Sequence, residues 1–239
     1  MNRHSKNVRP VLVLAFVFLT LALRAGAASA HWIVVSDIDD TIRETGVVKD
    51  IRPADPGGAR PKNYVHLLGD PFRACVAVPG MAARYQQWRA HDHAEFVYLS
   101  RGPWFYRWRL AGFLRAGGFP SGRICLSSFF PFTPARFKDT ALNKFLRAQP
   151  GSAFVFIGDS GESDPETYSR VASDPKHLHA IRGIFIREVT PRDPSLRCRL
   201  AFAGVPCSVF TQAAQLPAAL DRSAKLPARH VQTSHAHRR

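Results

Sequence analysis

Trp32-Ile33-Val34-Val35-Ser36-Asp37-Ile38-Asp39-Asp40-Thr41-Ile42 changes character abruptly: an aromatic and three β-branched residues give way to carboxylates at 37, 39 and 40. A short β-branched run closed by charge reads as a buried parallel strand. Carboxylates at its C-terminal end fall where open α/β sheets build their sites. A solvated turn accounts for one such Asp, but poorly for three crowded into four positions and followed by Thr. Like charges this close need a cation or a shared proton between them.

The spacing suits phosphoryl chemistry. Asp37 would attack phosphorus and carry it as an acyl-phosphate. Asp39 would protonate the leaving alkoxide and then deprotonate the hydrolytic water. Mg²⁺ beside Asp37 would offset the carboxylate repulsion. Such a site needs three further parts downstream. Glu95-Phe96-Val97-Tyr98-Leu99-Ser100 ends an apolar run in a hydroxyl that can hold a phosphate oxygen. Lys138 opens a helical-looking stretch and supplies a cation. Ala153-Phe154-Val155-Phe156-Ile157-Gly158-Asp159 ends in another carboxylate, with Asp164 five residues on. Singly, these could be a helix N-cap, a solvated lysine and a turn residue. In this order they form one constellation.

Asp37-x-Asp39-x-Thr41, Ser100, Lys138 and Gly158-Asp159…Asp164 resemble the four motifs of the haloacid dehalogenase superfamily of phosphohydrolases. Further segments resemble one family within it, the actin-patch-protein-type phosphatidate phosphatase catalytic domain. They are Val78-Pro79-Gly80-Met81, Pro103-Trp104, Gly117-Gly118-Phe119-Pro120, Ser160-Gly161-Glu162, Asp164-Pro165-Glu166-x-Tyr168 and Ile186-Arg187. The resemblance runs from about Trp32 to about Phe210. It departs at Gly102, where the family has a second Ser, and at Arg101, which is bulkier than the family's residue.

The resemblance implies Mg²⁺-dependent hydrolysis of phosphatidate to diacylglycerol and phosphate. Asp37, Asp39, Ser100 and Lys138 would be catalytic. Asp37, the Asp39 carbonyl, Asp159 and Asp164 would serve the metal. Thr41 would brace the turn and orient Asp39, and Asp40 would be structural. Thr41, Arg101 and Trp104 join Ser100 and Lys138 as the expected substrate contacts. Two other readings compete: an exported phosphatase of soluble phosphomonoesters, and a non-catalytic module that binds anionic membrane. The carboxylate cluster argues against the second, since a pure binder gains nothing from repelling acids.

Residues 1–30 read as a signal peptide, with a basic start at Arg3, Lys6 and Arg9, an apolar stretch over 10–23, and Ala28-Ser29-Ala30 as cleavage site. The apolar stretch is shorter than the roughly 20 residues that span a bilayer. Export to a periplasmic or extracellular space is the first expectation, and anchoring by residues 10–23 the second. Removing the segment removes four basic groups and no acid, lowering the net charge from +15 to +11. That charge favours anionic partners, including phosphate esters and anionic lipid surfaces. No nucleic-acid motif accompanies it.

Cys75, Cys125, Cys198 and Cys207 lack zinc spacing; Cys198 and Cys207 could pair after export, and the other two read as small buried hydrophobes. Strand and helix alternate over residues 31–222, predicting one catalytic domain. It would be a three-layer, Rossmann-like parallel sheet with helices on both faces. Residues 51–71 read as a loop too short for a large cap domain. A helix is expected from Pro103 to Ala116, burying Trp104 and Trp108 on its sheet-facing side, although Trp104 is close enough to Ser100 to meet a substrate tail. Phe129-Phe130-Pro131-Phe132 suits either an interfacial loop or the core, and residues 223–239 read as a basic disordered tail.

Overall fold

The apolar run forms strand β1, Trp32–Asp37, with every residue buried. In the computed structural model of this chain the described residues are 31–45, 76–128, 134–161, 163–177, 179–189 and 205–221. β1 pairs in parallel on one edge with β4, Glu95–Pro103, and on the other with β6, Ala153–Asp159. Strands β5 (Arg123–Ser127), β7 (Ile181–Arg187) and β8 (Cys207–Phe210) complete a six-stranded sheet of order β5-β4-β1-β6-β7-β8. The chain runs outward from β1 through β4 and β5, then returns to build the other half. That reversal beside β1 opens a crevice at the carboxyl ends of the strands.

Alternation along the strands divides the apolar residues between two layers. Trp32, Val34, Val155 and Ile157 face Met81, Tyr85 and Trp88 of helix α1 (Met81–His91) and Leu110, Phe113 and Leu114 of helix α2 (Arg107–Ala116). Ile33, Val35, Phe154 and Phe156 face Leu142, Phe145 and Leu146 of helix α3 (Pro134–Ala148) and Tyr168, Val171 and Ala172 of helix α4 (Asp164–Ala172). The expected three-layer α/β architecture is therefore present. Gly80 starts α1 with φ 78, and an added Cβ there would lie 3.1 Å from Ala213 Cβ. Both the conformation and the close approach require glycine.

A two-stranded antiparallel ribbon stands beside the sheet: β2, Arg43–Glu44, pairs with β3, Val76–Ala77. It brings Arg43 close behind the acidic turn. The segments read above as a signal (1–30), a loop (51–71), an aromatic loop (129–132) and a basic tail (223–239) lie outside the described residues. So do Cys75 and Cys198. Cys207 is disulfide-bonded, and Cys125 is a half-buried free thiol. Among the described residues no helix is long and apolar enough to cross a membrane.

One expectation is overturned. Residues 103–116 do not form a single helix: β4 continues to Pro103, and a 3₁₀ turn, Trp104–Tyr106, precedes α2. Ser127 Oγ donates to the carbonyls of Arg101 (2.7 Å) and Gly102 (3.3 Å), holding this irregular strand end against β5. The inward stripe of α2 is Leu110, Phe113 and Leu114, so Trp104 and Trp108 point away from the sheet, 62% and 72% exposed.

Candidate active site

Four elements converge at the carboxyl edge of the sheet. β1 ends in Asp37, β4 carries Ser100, β6 ends in Asp159, and α3 brings Lys138 across from the layer above. Asp37, Ser100, Lys138, Asp159 and Asp164 are all buried. Lys138 Nζ donates to Asp37 Oδ1 at 2.6 Å and also contacts Asp164 Oδ1. A buried ammonium requires such anionic partners. The amide of Asp159 donates to Asp164 Oδ2 at 3.4 Å, and the amide of Gly161 to Asp159 Oδ1 at 2.6 Å.

Asp37, Asp159 and Asp164 each offer an oxygen, all within 4.8 Å of one another. Three buried hard oxygen donors around one point fit a divalent cation such as Mg²⁺ or Ca²⁺. The crowding of negative charge also registers on Tyr168, which lies beneath the cluster and donates to the carbonyl of Ile157 at 3.0 Å. Burial first, and then the charges of Asp164, Asp37 and Asp159, push its phenol well above the ordinary value.

Asp39 is held from two sides. Ser100 Oγ donates to its Oδ2 at 3.1 Å, and the Arg43 guanidinium engages its Oδ1. The Gly102 amide in turn donates to Ser100 Oγ at 3.0 Å. A Cβ at 102 would lie 3.2 Å from that hydroxyl, so glycine leaves Ser100 room where a larger residue would crowd it. Thr41 does not reach Asp39 as expected: its hydroxyl donates to Asp37 Oδ2 at 3.0 Å. The tight turn folds Thr41 back over the strand end, which places it on the first carboxylate, opposite Lys138.

Asp40 adopts φ 59, a conformation Asp tolerates when its side chain bonds locally. Here its carboxylate accepts from the amide (3.0 Å) and hydroxyl (2.7 Å) of Thr45. Its carbonyl accepts from Arg187 Nη1 at 2.7 Å. Arg187 ends β7, two strands from β1, and so ties the acidic turn to the far half of the sheet.

Arg43 was not among the residues singled out from sequence, and Arg187 entered only within the Ile186-Arg187 segment of the family resemblance, with no role assigned. Arg43 is signalled only by lying four residues after Asp39, and Arg187 by closing an apolar strand as Asp37 and Asp159 do. Arg101 and Trp104 stand at the rim, at the end of β4. Arg101 is half-buried and contributes its carbonyl to Ser127, while Trp104 is exposed.

A family model described as the catalytic domain of phosphatidate phosphatase APP1 matches residues 32–188, from β1 through β7. Phosphatidate phosphatase APP1 of Saccharomyces cerevisiae is 29% identical over 156 residues, which is 62% of this chain and 25% of that protein. The chain thus spans about a quarter of the length of the curated relative it matches. The matched region contains Asp37, Asp39, Ser100, Lys138, Asp159 and Asp164.

Proposed function

Because the chain belongs to the phosphatidate phosphatase APP1 catalytic-domain family, we propose that it is a phosphatase that hydrolyses phosphatidate to diacylglycerol and inorganic phosphate. The observation that carries this reading is the buried carboxylate cluster: Lys138 lies 2.6 Å from Asp37, with oxygens of Asp37, Asp159 and Asp164 within 4.8 Å of one another.

Asp37 is the nucleophile. One of its oxygens bonds to phosphorus as the bond to the ester oxygen breaks, giving an aspartyl-phosphate. Asp39 gives its proton to the departing alkoxide, so diacylglycerol leaves neutral. The same carboxylate then takes a proton from water, whose oxygen attacks phosphorus, releases phosphate and restores Asp37. Ser100 and Lys138 hold the phosphoryl oxygens through the transfer. Thr41 fixes the rotamer of Asp37, and Arg43 and Ser100 fix that of Asp39. Asp37, the Asp39 carbonyl, Asp159 and Asp164 would hold Mg²⁺, which would supply charge stabilisation to the phosphoryl oxygens.

The test is phosphate release by the full chain from phosphatidate in mixed micelles, beside glycerol phosphate and nucleotides, with and without chelator. Release from phosphatidate that stops with chelator or with Asp37→Asn supports the reading. Release that survives Asp37→Asn overturns the mechanism. Faster turnover of the soluble esters overturns the lipid assignment.

A further inference from the structure

We propose that the outer face of the 3₁₀ turn and helix α2 is a docking surface for an anionic lipid bilayer. Two large aromatic side chains, Trp104 and Trp108, are 62% and 72% exposed there, and Phe105 is 39% exposed. Clustered exposed aromatics of this size on one element mark an interaction surface. The outward stripe of α2 runs Trp108, Gly112, Arg115 at i, i+4 and i+7, with all three exposed. The opposite stripe, Leu110, Phe113 and Leu114, is buried in the sheet layer. The helix is therefore fixed by one side and presents the other.

Charge selects the occupant. From Phe96 through Phe137 the sequence contains no acidic residue, and along this turn and helix Arg107 and Arg115 are exposed while Arg109 is half-buried. Arg109 stacks its guanidinium on Trp108, 5.3 Å from the ring centroid, and lies 5.9 Å from the Tyr106 ring. Tryptophan beside arginine is the chemistry of a membrane interface, where the ring settles among headgroups and the cation meets phosphate. A groove that reads nucleic-acid bases is not suggested, because the aromatics stand on a convex helix and its preceding turn.

The location also fits. Trp104 follows Ser100 by four residues, so at about 3.3 Å per residue their Cα atoms lie within roughly 13 Å of each other. Docking through this face would bring the rim of the site to the headgroup layer, where phosphatidate resides. The inference deepens the lipid reading above and rests on it.

Intrinsic fluorescence of the full chain tests it. Of the four tryptophans, Trp32 and Trp88 are buried, at 8% and 0% exposure, so lipid-dependent changes report Trp104 and Trp108. Phosphatidylcholine vesicles containing phosphatidylglycerol should shift the emission to the blue, and brominated acyl chains should quench it. Pure phosphatidylcholine should do neither. Trp108→Ala should remove about half of the quenching and leave turnover of a small soluble ester unchanged. Arg107→Glu with Arg115→Glu should weaken vesicle affinity about tenfold or more.

Vesicle binding without quenching, as through residues 10–23, overturns the proposal. So does equal quenching by neutral vesicles, or quenching by duplex DNA but not by vesicles. Quenching in a protein that releases no phosphate from any ester would sink the proposed activity while leaving the surface standing. Phosphate release from phosphatidate without quenching would retire the surface alone.

Discussion

Gly158 and Asp164 occupy one volume: a Cβ on the glycine would lie 2.4 Å from the aspartate Oδ2 and 2.7 Å from its Cβ. The strand end and the first turn of α4 are packed so closely that only hydrogen fits between them. Asp164 gains its place in the cluster from that contact and from the Asp159 amide. Gly158→Ala should therefore push the Asp164 carboxylate out, with about 1–3 kcal/mol of overpacking strain. Denaturant melts should show the loss of stability, and phosphate release should demand far more Mg²⁺ to reach its maximum.

Lys138 bridges Asp37 and Asp164 while itself only 2% exposed. Lys138→Met removes the cation but leaves the acids buried, which should destabilise the chain by roughly 3–5 kcal/mol at neutral pH. Lys138→Arg keeps the charge but offers a planar fork in place of a compact ammonium. It should recover stability in part and activity hardly at all. Calorimetry and turnover on the same preparations distinguish the two losses.

A divalent ion that binds the folded chain must raise its unfolding temperature by mass action. Mg²⁺ should do so for the unmodified protein, and chelator should reverse the rise. Asp159→Asn should abolish the shift. A thermal scan reads this without reference to activity, and an Asp159→Asn chain that still responds would remove that residue from the ligand set.

Arg43 grips the proposed acid–base carboxylate from the β2–β3 ribbon. Losing a hydrogen bond to a charged group costs about 1.5–3 kcal/mol, so Arg43→Gln should lower kcat by roughly ten- to hundredfold. KM should change little, because Ser100 and Lys138 remain. A change in KM with kcat intact would instead make Arg43 a substrate contact.

Alkaline stability should be set by buried phenols. Burial raises Tyr85 and Tyr98, and burial together with three nearby carboxylates raises Tyr168. A phenol whose folded pKa exceeds its unfolded value of about 10 contributes its full share of stability below that pH. The contribution is lost as pH rises toward the folded value. Ultraviolet titration should show these three phenols ionising only as the chain unfolds in alkali.

What the sequence made legible were the strand ends. Asp37, Ser100 and Asp159 each close an apolar run, and a parallel sheet necessarily gathers such ends along one edge. Lys138 was legible as a helical cation, but the helix starts a turn earlier, at Pro134, than the sequence suggested, and the depth of its burial was not legible. Trp104 and Trp108 misled because helical spacing says that two residues share a side but not which side. The answer depended on Ser127 catching the carbonyls of Arg101 and Gly102, which prolongs β4 and sets the phase of α2. Arg43 escaped notice, and the role of Arg187 went unread, for a related reason. Their partners are a carboxylate in a tight turn and a main-chain carbonyl on another strand, and neither leaves a pattern in residue types.

The central place of β1 also has a temporal consequence. Its second edge is closed by β6, whose first residue pairs with Trp32 although strands β4 and β5 lie between them in sequence. A ribosome therefore releases the Asp37-bearing strand long before the strand that completes its surroundings exists. Until β6 emerges, the nascent chain carries an apolar ribbon with an open edge, a species prone to pairing with the wrong neighbour. Truncations that end before residue 160 should accordingly yield aggregates rather than a smaller working enzyme.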